Sequence, residues 1–186
     1  WEIVNQVITD RRKWSIALGI REEDLIPTLV ERIKRQIEPV EVNKDKAPVK
    51  EVILKGSAAD LTKVPALWHA EKDPSPYIAS GMAIIKDPET GIRNMSIHRQ
   101  QIQGPDQTGF LICPRHALRI YQKYQQRNEP MPVAMVIGAH PAIYYASGFT
   151  SSYGLDELEV AGSLLDDPVR LVKCETIDNE VPAEAE

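Results

Sequence analysis

The chain has 186 residues, of which 42% are hydrophobic and 26% are charged, a composition typical of a globular protein and not of a disordered one. Its 22 lysines and arginines against 27 aspartates and glutamates leave a formal charge of −5, which argues against a nucleic-acid-binding protein and against docking on an anionic membrane. There is no apolar run long enough for a membrane span and no pattern of a signal peptide, and the two cysteines indicate reduced, structural thiols of a cytoplasmic protein.

The N-terminal third is predicted to be helical and to pack on another part of the protein without folding alone. Two apolar stripes have helical spacing; Gly19 is placed to end the first, and Pro39 closes the second. Because the chain opens on Trp1, we expect it to be a fragment or a cleaved product. The elements expected in this partial N-terminal domain, residues 1–56, are helices over 4–18 and 25–37, a linker over 40–48 and a short strand over 52–54.

Residues 57–186 have the pattern of a second domain, in which strands alternate with short helices. A turn over 87–91, with Pro88 and Gly91 at positions that suit them, joins two strand candidates into a hairpin. The pattern over 155–165 fits either a helix or a strand. The other elements expected are strands over 77–86, 92–102, 110–113, 133–137 and 169–174, and helices over 114–124 and 141–146. Together they predict a compact α+β domain.

The segment 93–99 places polar and charged side chains on both faces of a predicted strand, as an exposed edge strand would also do. Asn94 and Arg99 are five residues apart, so a regular strand points them to opposite faces of its sheet. They can share one site only if a bulge or the end of strand pairing lies between them.

Three residues far apart in the sequence could together hold a metal ion. His116 lies in the first turn of a predicted helix, where free N–H groups and the neighbouring Arg115 suit an anion, although a surface histidine would look the same. Glu157 lies in an acidic stretch that a solvated face also explains. With Asn94 they offer an amide oxygen, an imidazole and a carboxylate, a set that suits Mn²⁺ or Mg²⁺ beside phosphate oxygens better than a closed zinc site.

Several stretches, taken in order, resemble the UbiD family of decarboxylases. Each motif alone is ordinary, but their order and spacing over about residues 57–186 are specific, and 1–55 is similar to part of the family's N-terminal region. The stretches are DLTKVP at 60–65, DPSPYI at 73–78, KDPETG at 86–91, RNMSIHR at 93–99, PVAMVIG at 132–138, YGLDE at 153–157, LVKCET at 171–176 and EVPA at 180–183.

The resemblance implies a cofactor-binding domain with a split β-barrel of the flavin-reductase-like kind, over residues 57–186. The cofactor implied is prenylated FMN, and the reaction is reversible, non-oxidative decarboxylation of an aromatic or α,β-unsaturated carboxylic acid. Two alternatives stay open. One is a non-catalytic cofactor-binding or accessory subunit of a multi-subunit carboxylase, and the other is a split-barrel flavin reductase, in which the metal set has no role.

The resemblance also assigns roles to individual residues. Asn94, His116 and Glu157 match the set that holds a Mn²⁺ (or Mg²⁺) bridging to the cofactor phosphate, and Arg99 matches the catalytic arginine beside the substrate carboxylate. The other matched positions line the cofactor (Ser96, Ile97, His98, Arg115) or form a loop that binds K⁺ or Na⁺ (Ala146, Ser147, Phe149). His98 departs from the small residue sometimes found at its position.

The family's two catalytic acids are expected beyond Glu186, together with a lysine that reaches the phosphate and the usual dimerisation domain. Glu175 and Glu180 precede that region and are not assigned this role. The partners implied are a carboxylic acid and CO₂, a flavin prenyltransferase as the cofactor source, and either a homo-oligomer or the remaining part of the enzyme.

Overall fold

The computed structural model describes residues 9–186, so the start of the first predicted helix lies outside the described residues. The helices are α1 (Arg11–Leu18), α2 (Leu25–Arg32), α3 (His116–Gln126), α4 (Pro141–Ser147) and α5 (Glu157–Leu165). The strands are β1 (Val40–Glu41), β2 (Tyr77–Ile78), β3 (Met82–Lys86), β4 (Arg93–Ile97), β5 (Gln100–Ile102), β6 (Thr108–Phe110), β7 (Ala134–Val136), β8 (Arg170–Lys173) and β9 (Glu180–Pro182).

The strands form three small sheets of three strands each. In the first, β1 runs parallel to β8, and β9 pairs with β8 in the antiparallel sense. The second, β2-β5-β6, and the third, β4-β3-β7, are antiparallel throughout. The mixed α+β fold is therefore confirmed. The described strands do not close into a barrel, and the split barrel stays a prediction.

The predicted hairpin over 77–102 forms, but it is divided between two sheets. Strand β3 pairs with β4 along its whole length, whereas β2 pairs with β5 in another sheet. The break falls at Gly81, where a Cβ atom would lie 2.6 Å from the sulfur of Met135. The side chain of Met135, on β7, thus fills the space beside Gly81. Opposite the break, residues 98 and 99 join β4 to β5. Strand β4 therefore ends between Asn94 and Arg99, and a shared site for these two residues requires such an end of strand pairing.

The N-terminal region contains helices in both predicted ranges, the second shorter than predicted, but the predicted linker is not free of structure. Gly19 ends α1 in the left-handed conformation, with φ of 63°, as its position indicated, and α2 ends at Arg32. The range 40–48 contains β1, which pairs with β8. The strand predicted over 52–54 is wrong, because Val52 and Leu54 are 72% and 61% exposed and no neighbouring strand pairs with them.

The main core lies between the sheet β4-β3-β7 and helices α4 and α5. The ambiguous range 155–165 forms α5, whose apolar side chains are buried on several sides, and this hides the helical period. Helix α3 packs separately, through Ala117 and Ile120, against Ile85. Strand β9 was not predicted, because Pro182 interrupts its pattern. A proline is tolerated there because β9 lies at the edge of its sheet. Among residues 9–186, no helix combines the length and apolar character that crossing a membrane requires.

Candidate functional site

Asn94 and Glu157 meet at the buried join between β4 and the start of α5. Nδ2 of Asn94 donates to Oε1 of Glu157 at 3.0 Å, and the backbone N–H of Met95 donates to Oε2 at 2.8 Å. Both side chains are buried. Asp156 caps α5 by accepting from the N–H of Leu158, so the carboxylate of Glu157 projects from the first turn of a well-capped helix.

The environment of Glu157 makes its ionised form less favourable than that of an ordinary glutamate, as its raised pKa shows. Burial raises the pKa of its carboxyl to about 7, and the hydrogen bonds from Met95 and Asn94 offset only part of that effect. A carboxylate in this position is best stabilised by a positive charge.

A small cavity of about 10 Å³, about the size that holds one water molecule, lies beside Asn94. Asn94, His116, Tyr153 and Gly154 are among the residues that line it. Within residues 9–186, Oδ1 of Asn94 is buried without a hydrogen-bond partner, and a buried carbonyl oxygen left in this way costs free energy. A hard divalent cation bound by an amide oxygen, an imidazole and a carboxylate would satisfy it, so these residues fit the metal that the resemblance implies. Among the described residues, no group of three or more His, Cys, Asp or Glu side chains could hold a metal ion.

A second polar group, which no pattern in the sequence indicated, lines the same cavity and contacts His116. The ring of Tyr153 meets the imidazole of His116 edge-on, with 5.4 Å between the centroids. Its hydroxyl donates to Oδ2 of Asp87, which also accepts from Nζ of Lys123 at 2.6 Å. The guanidinium of Arg119 lies 3.9 Å from the centre of the same tyrosine ring.

Glu180, which the sequence left unassigned, takes part in an ion-pair network. Its two oxygens accept from Lys86 at 2.8 Å and from Arg93 at 3.0 Å, and Arg93 also pairs with Asp156 at 2.7 Å. Glu175 likewise pairs with lysines, namely Lys44, Lys50 and Lys55.

His98 is buried and joins the expected cofactor segment 96–98 to the backbone of Leu111. Its Nδ1 lies 2.9 Å from the carbonyl oxygen of Leu111, and its Nε2 lies 2.9 Å from the hydroxyl of Ser96. Because a carbonyl can only accept, Nδ1 carries the proton. Its ring also contacts the ring of Phe110, at 4.6 Å between centroids, so three contacts hold the imidazole of His98.

The remaining predicted site residues lie on β4, on α4 and in the loops next to these elements and α3. Arg99 and Arg115 are exposed, and the guanidinium of Arg99 lies 5.9 Å from the ring centre of Tyr77. Ile97 ends β4. The hydroxyl of Ser147 donates to the carbonyl of Tyr144 at 2.6 Å. The other predicted cation ligands are the buried Ala146 near the end of α4 and the half-buried Phe149 just after it.

Comparison with known proteins gives the family to which these features belong. The family model UbiD, described as the 3-octaprenyl-4-hydroxybenzoate carboxy-lyase Rift-related domain, matches residues 40–186. An anhydromevalonate phosphate decarboxylase of Methanothermobacter thermautotrophicus is 32% identical over 184 residues, covering 97% of this chain and 41% of that protein. A gallate decarboxylase of Lactiplantibacillus plantarum is 31% identical, covering 85% of this chain and 34% of that protein.

The fold is also similar to a solved structure. An evolved dimeric form of the UbiD-class enzyme HmfF from Pelotomaculum thermopropionicum, in complex with prFMN, has a TM-score of 0.88 and 42% sequence identity. The match covers 95% of this chain and 42% of that one. The chain thus spans about two fifths of the length of the first relatives it matches, 41% and 39% for two decarboxylases of the same name.

Proposed function

The chain belongs to the UbiD family, and we propose that it supplies the prenylated FMN and metal site of an enzyme that reversibly decarboxylates an aromatic or α,β-unsaturated carboxylic acid. The observation that carries this proposal is that Asn94, whose Oδ1 has no hydrogen-bond partner among the described residues, lines a cavity together with His116 and also contacts the buried carboxylate of Glu157. Decarboxylase names among the relatives and the prFMN complex of HmfF support it.

Asn94, His116 and Glu157 would hold a Mn²⁺ or Mg²⁺ ion, whose charge would offset that of a cofactor phosphate. Prenylated FMN, when bound, supplies the carbon centre and the electron sink for loss of CO₂. The guanidinium of Arg99 would bind the substrate carboxylate through two parallel hydrogen bonds. Arg115 would lie over the cofactor, because it precedes His116 and its side chain is exposed.

Other residues would stabilise the site without contacting the substrate. His98 holds the Ser96 hydroxyl and the Leu111 backbone together, which would stiffen the wall of the cofactor site formed by residues 96–98. The loop that contains Ala146, Ser147 and Phe149 would bind K⁺ or Na⁺ through carbonyl and hydroxyl oxygens.

A second candidate function is a non-catalytic cofactor-binding subunit of a larger carboxylase. What favours it is that some structural neighbours are multi-chain complexes, among them a vanillic acid decarboxylase of Sedimentibacter hydroxybenzoicus. In either case we expect a flavin prenyltransferase to supply the cofactor, and the catalytic acids to lie in another part of the enzyme or in a partner chain.

The proposal is tested by co-expressing the chain with a flavin prenyltransferase in the presence of Mn²⁺ and K⁺. The absorbance spectrum and the mass of the bound cofactor are then measured. Wild type should retain prenylated flavin, whereas Glu157→Gln and His116→Ala should each abolish its Mn²⁺-dependent retention. Glu159→Gln on the same helix and the exposed His69→Ala are the matched controls. Full cofactor occupancy in either site variant would refute the metal assignment.

The two candidate functions differ in catalysis. A partner chain or C-terminal segment that restores decarboxylation, with loss of activity in Arg99→Ala, would support the enzyme. Cofactor binding without activity in any combination would support the accessory subunit.

A further inference from the structure

The three expected metal ligands come from three separate elements, and only two of them are joined directly. Asn94 and Glu157 share a hydrogen bond, which fixes β4 relative to α5. His116 opens α3, and among the described residues its ring forms no hydrogen bond with either of them. Some other group therefore has to hold the imidazole towards the cavity.

The side chain that contacts the His116 imidazole is that of Tyr153. Its ring meets the His116 imidazole edge-on, at an interplanar angle of 86°, and it lies in the same cavity wall as His116 and Asn94. It also lies only four residues before Glu157, in the loop that leads into α5. One side chain thus connects the helix that contains His116 to the loop that leads to Glu157.

Other side chains contact both the hydroxyl and the ring face of Tyr153. Its hydroxyl donates to the buried carboxylate of Asp87, whose other oxygen accepts from the backbone N–H of Glu89. Lys123 pairs with the same carboxylate, and the guanidinium of Arg119 covers the ring face. Since Arg119 and Lys123 both lie on α3, the tyrosine is attached to the helix of His116 at three positions.

We propose that Tyr153 is a positioning residue that holds the His116 imidazole in place to bind a metal ion together with Asn94 and Glu157. This inference rests on the proposed function for the identity of the metal, but the placement of His116 can be measured without it. The contact works through an aromatic edge and face, so the ring of Tyr153 is required more than its hydroxyl.

The test compares Tyr153→Leu, Tyr153→Phe and Tyr124→Phe in the full chain. Tyr124 is a matched control, because it also lies on α3 and its hydroxyl donates to the carbonyl of Lys86, next to Asp87. Mn²⁺ is titrated in the presence of FMN, and free Mn²⁺ is followed by electron paramagnetic resonance. Tyr153→Leu should weaken Mn²⁺ binding about tenfold or more, as loss of a group that orients a ligand does. Tyr153→Phe should keep most of the affinity and Tyr124→Phe all of it, whereas wild-type affinity in Tyr153→Leu would overturn the proposal.

A second measurement separates this proposal from the proposed function. Nuclear Overhauser contacts between the rings of His116 and Tyr153 are recorded without metal, and the His116 ring signals are compared in wild type, Tyr153→Phe and Tyr153→Leu. If wild type binds no Mn²⁺, the proposed function fails, yet ring contacts that persist in Tyr153→Phe would still support the positioning role. Absence of those contacts in wild type would overturn it. Should Tyr153→Leu not fold, Tyr153→Met replaces it: the His116 ring signals should shift from those of wild type, and unchanged signals would overturn the proposal.

Discussion

The side-chain amide of Asn94 lies 3.0 Å from the carboxylate of Glu157, 63 positions further along the chain, and its own oxygen is left without a partner. One amide thereby fixes a strand to a helix with its nitrogen and keeps its oxygen available. The same residue is expected to serve both stability and metal binding.

Asn94→Leu should destabilise the chain by about 1–3 kcal/mol, because Glu157 loses a buried donor that nothing replaces. Urea unfolding at neutral pH measures the change. Asn43→Leu is the control, since Asn43 is exposed and its side chain makes no capping hydrogen bond. Equal stability of the two variants would contradict a structural role of the Asn94 amide.

Asp87 should make the stability of the fold decrease at low pH. Burial by itself would raise the pKa of its carboxyl, but hydrogen bonds from Lys123 and Tyr153 outweigh burial and hold the pKa at about 2. Because the folded pKa lies below the ordinary value of 3.8, Asp87 stabilises the fold above about pH 4, and this contribution is lost as the pH falls towards 2. Wild type should therefore lose more stability than Asp87→Asn over that range.

The check is thermal unfolding of both proteins at a series of pH values, with Asp106→Asn, an exposed site, as the control. Parallel curves for wild type and Asp87→Asn between about pH 4 and pH 2 would count against this role of Asp87.

Glu180 should matter for stability through its two cations. Lys86 and Arg93 are directly opposite in the β3–β4 ladder, where like charges repel, and the carboxylate of Glu180 contacts both. Glu180→Gln should cost about 1–3 kcal/mol, since the network is largely buried. The exposed Glu184, which pairs with Arg170, provides the comparison: Glu184→Gln should cost at most about 1 kcal/mol in the same denaturation experiment. A smaller loss for Glu180→Gln than for Glu184→Gln would disprove the network's importance.

Gly162 should not tolerate a side chain. A Cβ atom there would lie 2.7 Å from the carbonyl oxygen of Ile37, so α5 and the segment after α2 would have to separate. Gly162→Ala should destabilise by about 1–3 kcal/mol. Gly148→Ala is the control, because its nearest new contact is 3.6 Å, and its unfolding midpoint should stay near that of wild type. If Gly162→Ala unfolded at the wild-type midpoint, the close packing of α5 on residue 37 would be wrong.

Local chemistry was enough to predict several features from the sequence. Gly19 at the end of α1, the turn over 87–91 and the helix after Pro114 depend on neighbouring residues, and the structure contains all three. The ordered motifs were specific enough for the family, which the family model confirms over 40–186. The pairing of Asn94 with Glu157 followed from the resemblance, not from spacing.

The tertiary structure alone decided the features that depend on contacts between distant segments. Strand β3 pairs with β7 while β2 pairs with β5 in another sheet, and the β3–β7 pairing joins residues at least 50 positions apart. The placement of Tyr153 between Asp87 and His116 has the same origin. A single tyrosine in a polar loop has no periodicity or spacing that indicates its partners, because those partners become neighbours only when the chain folds.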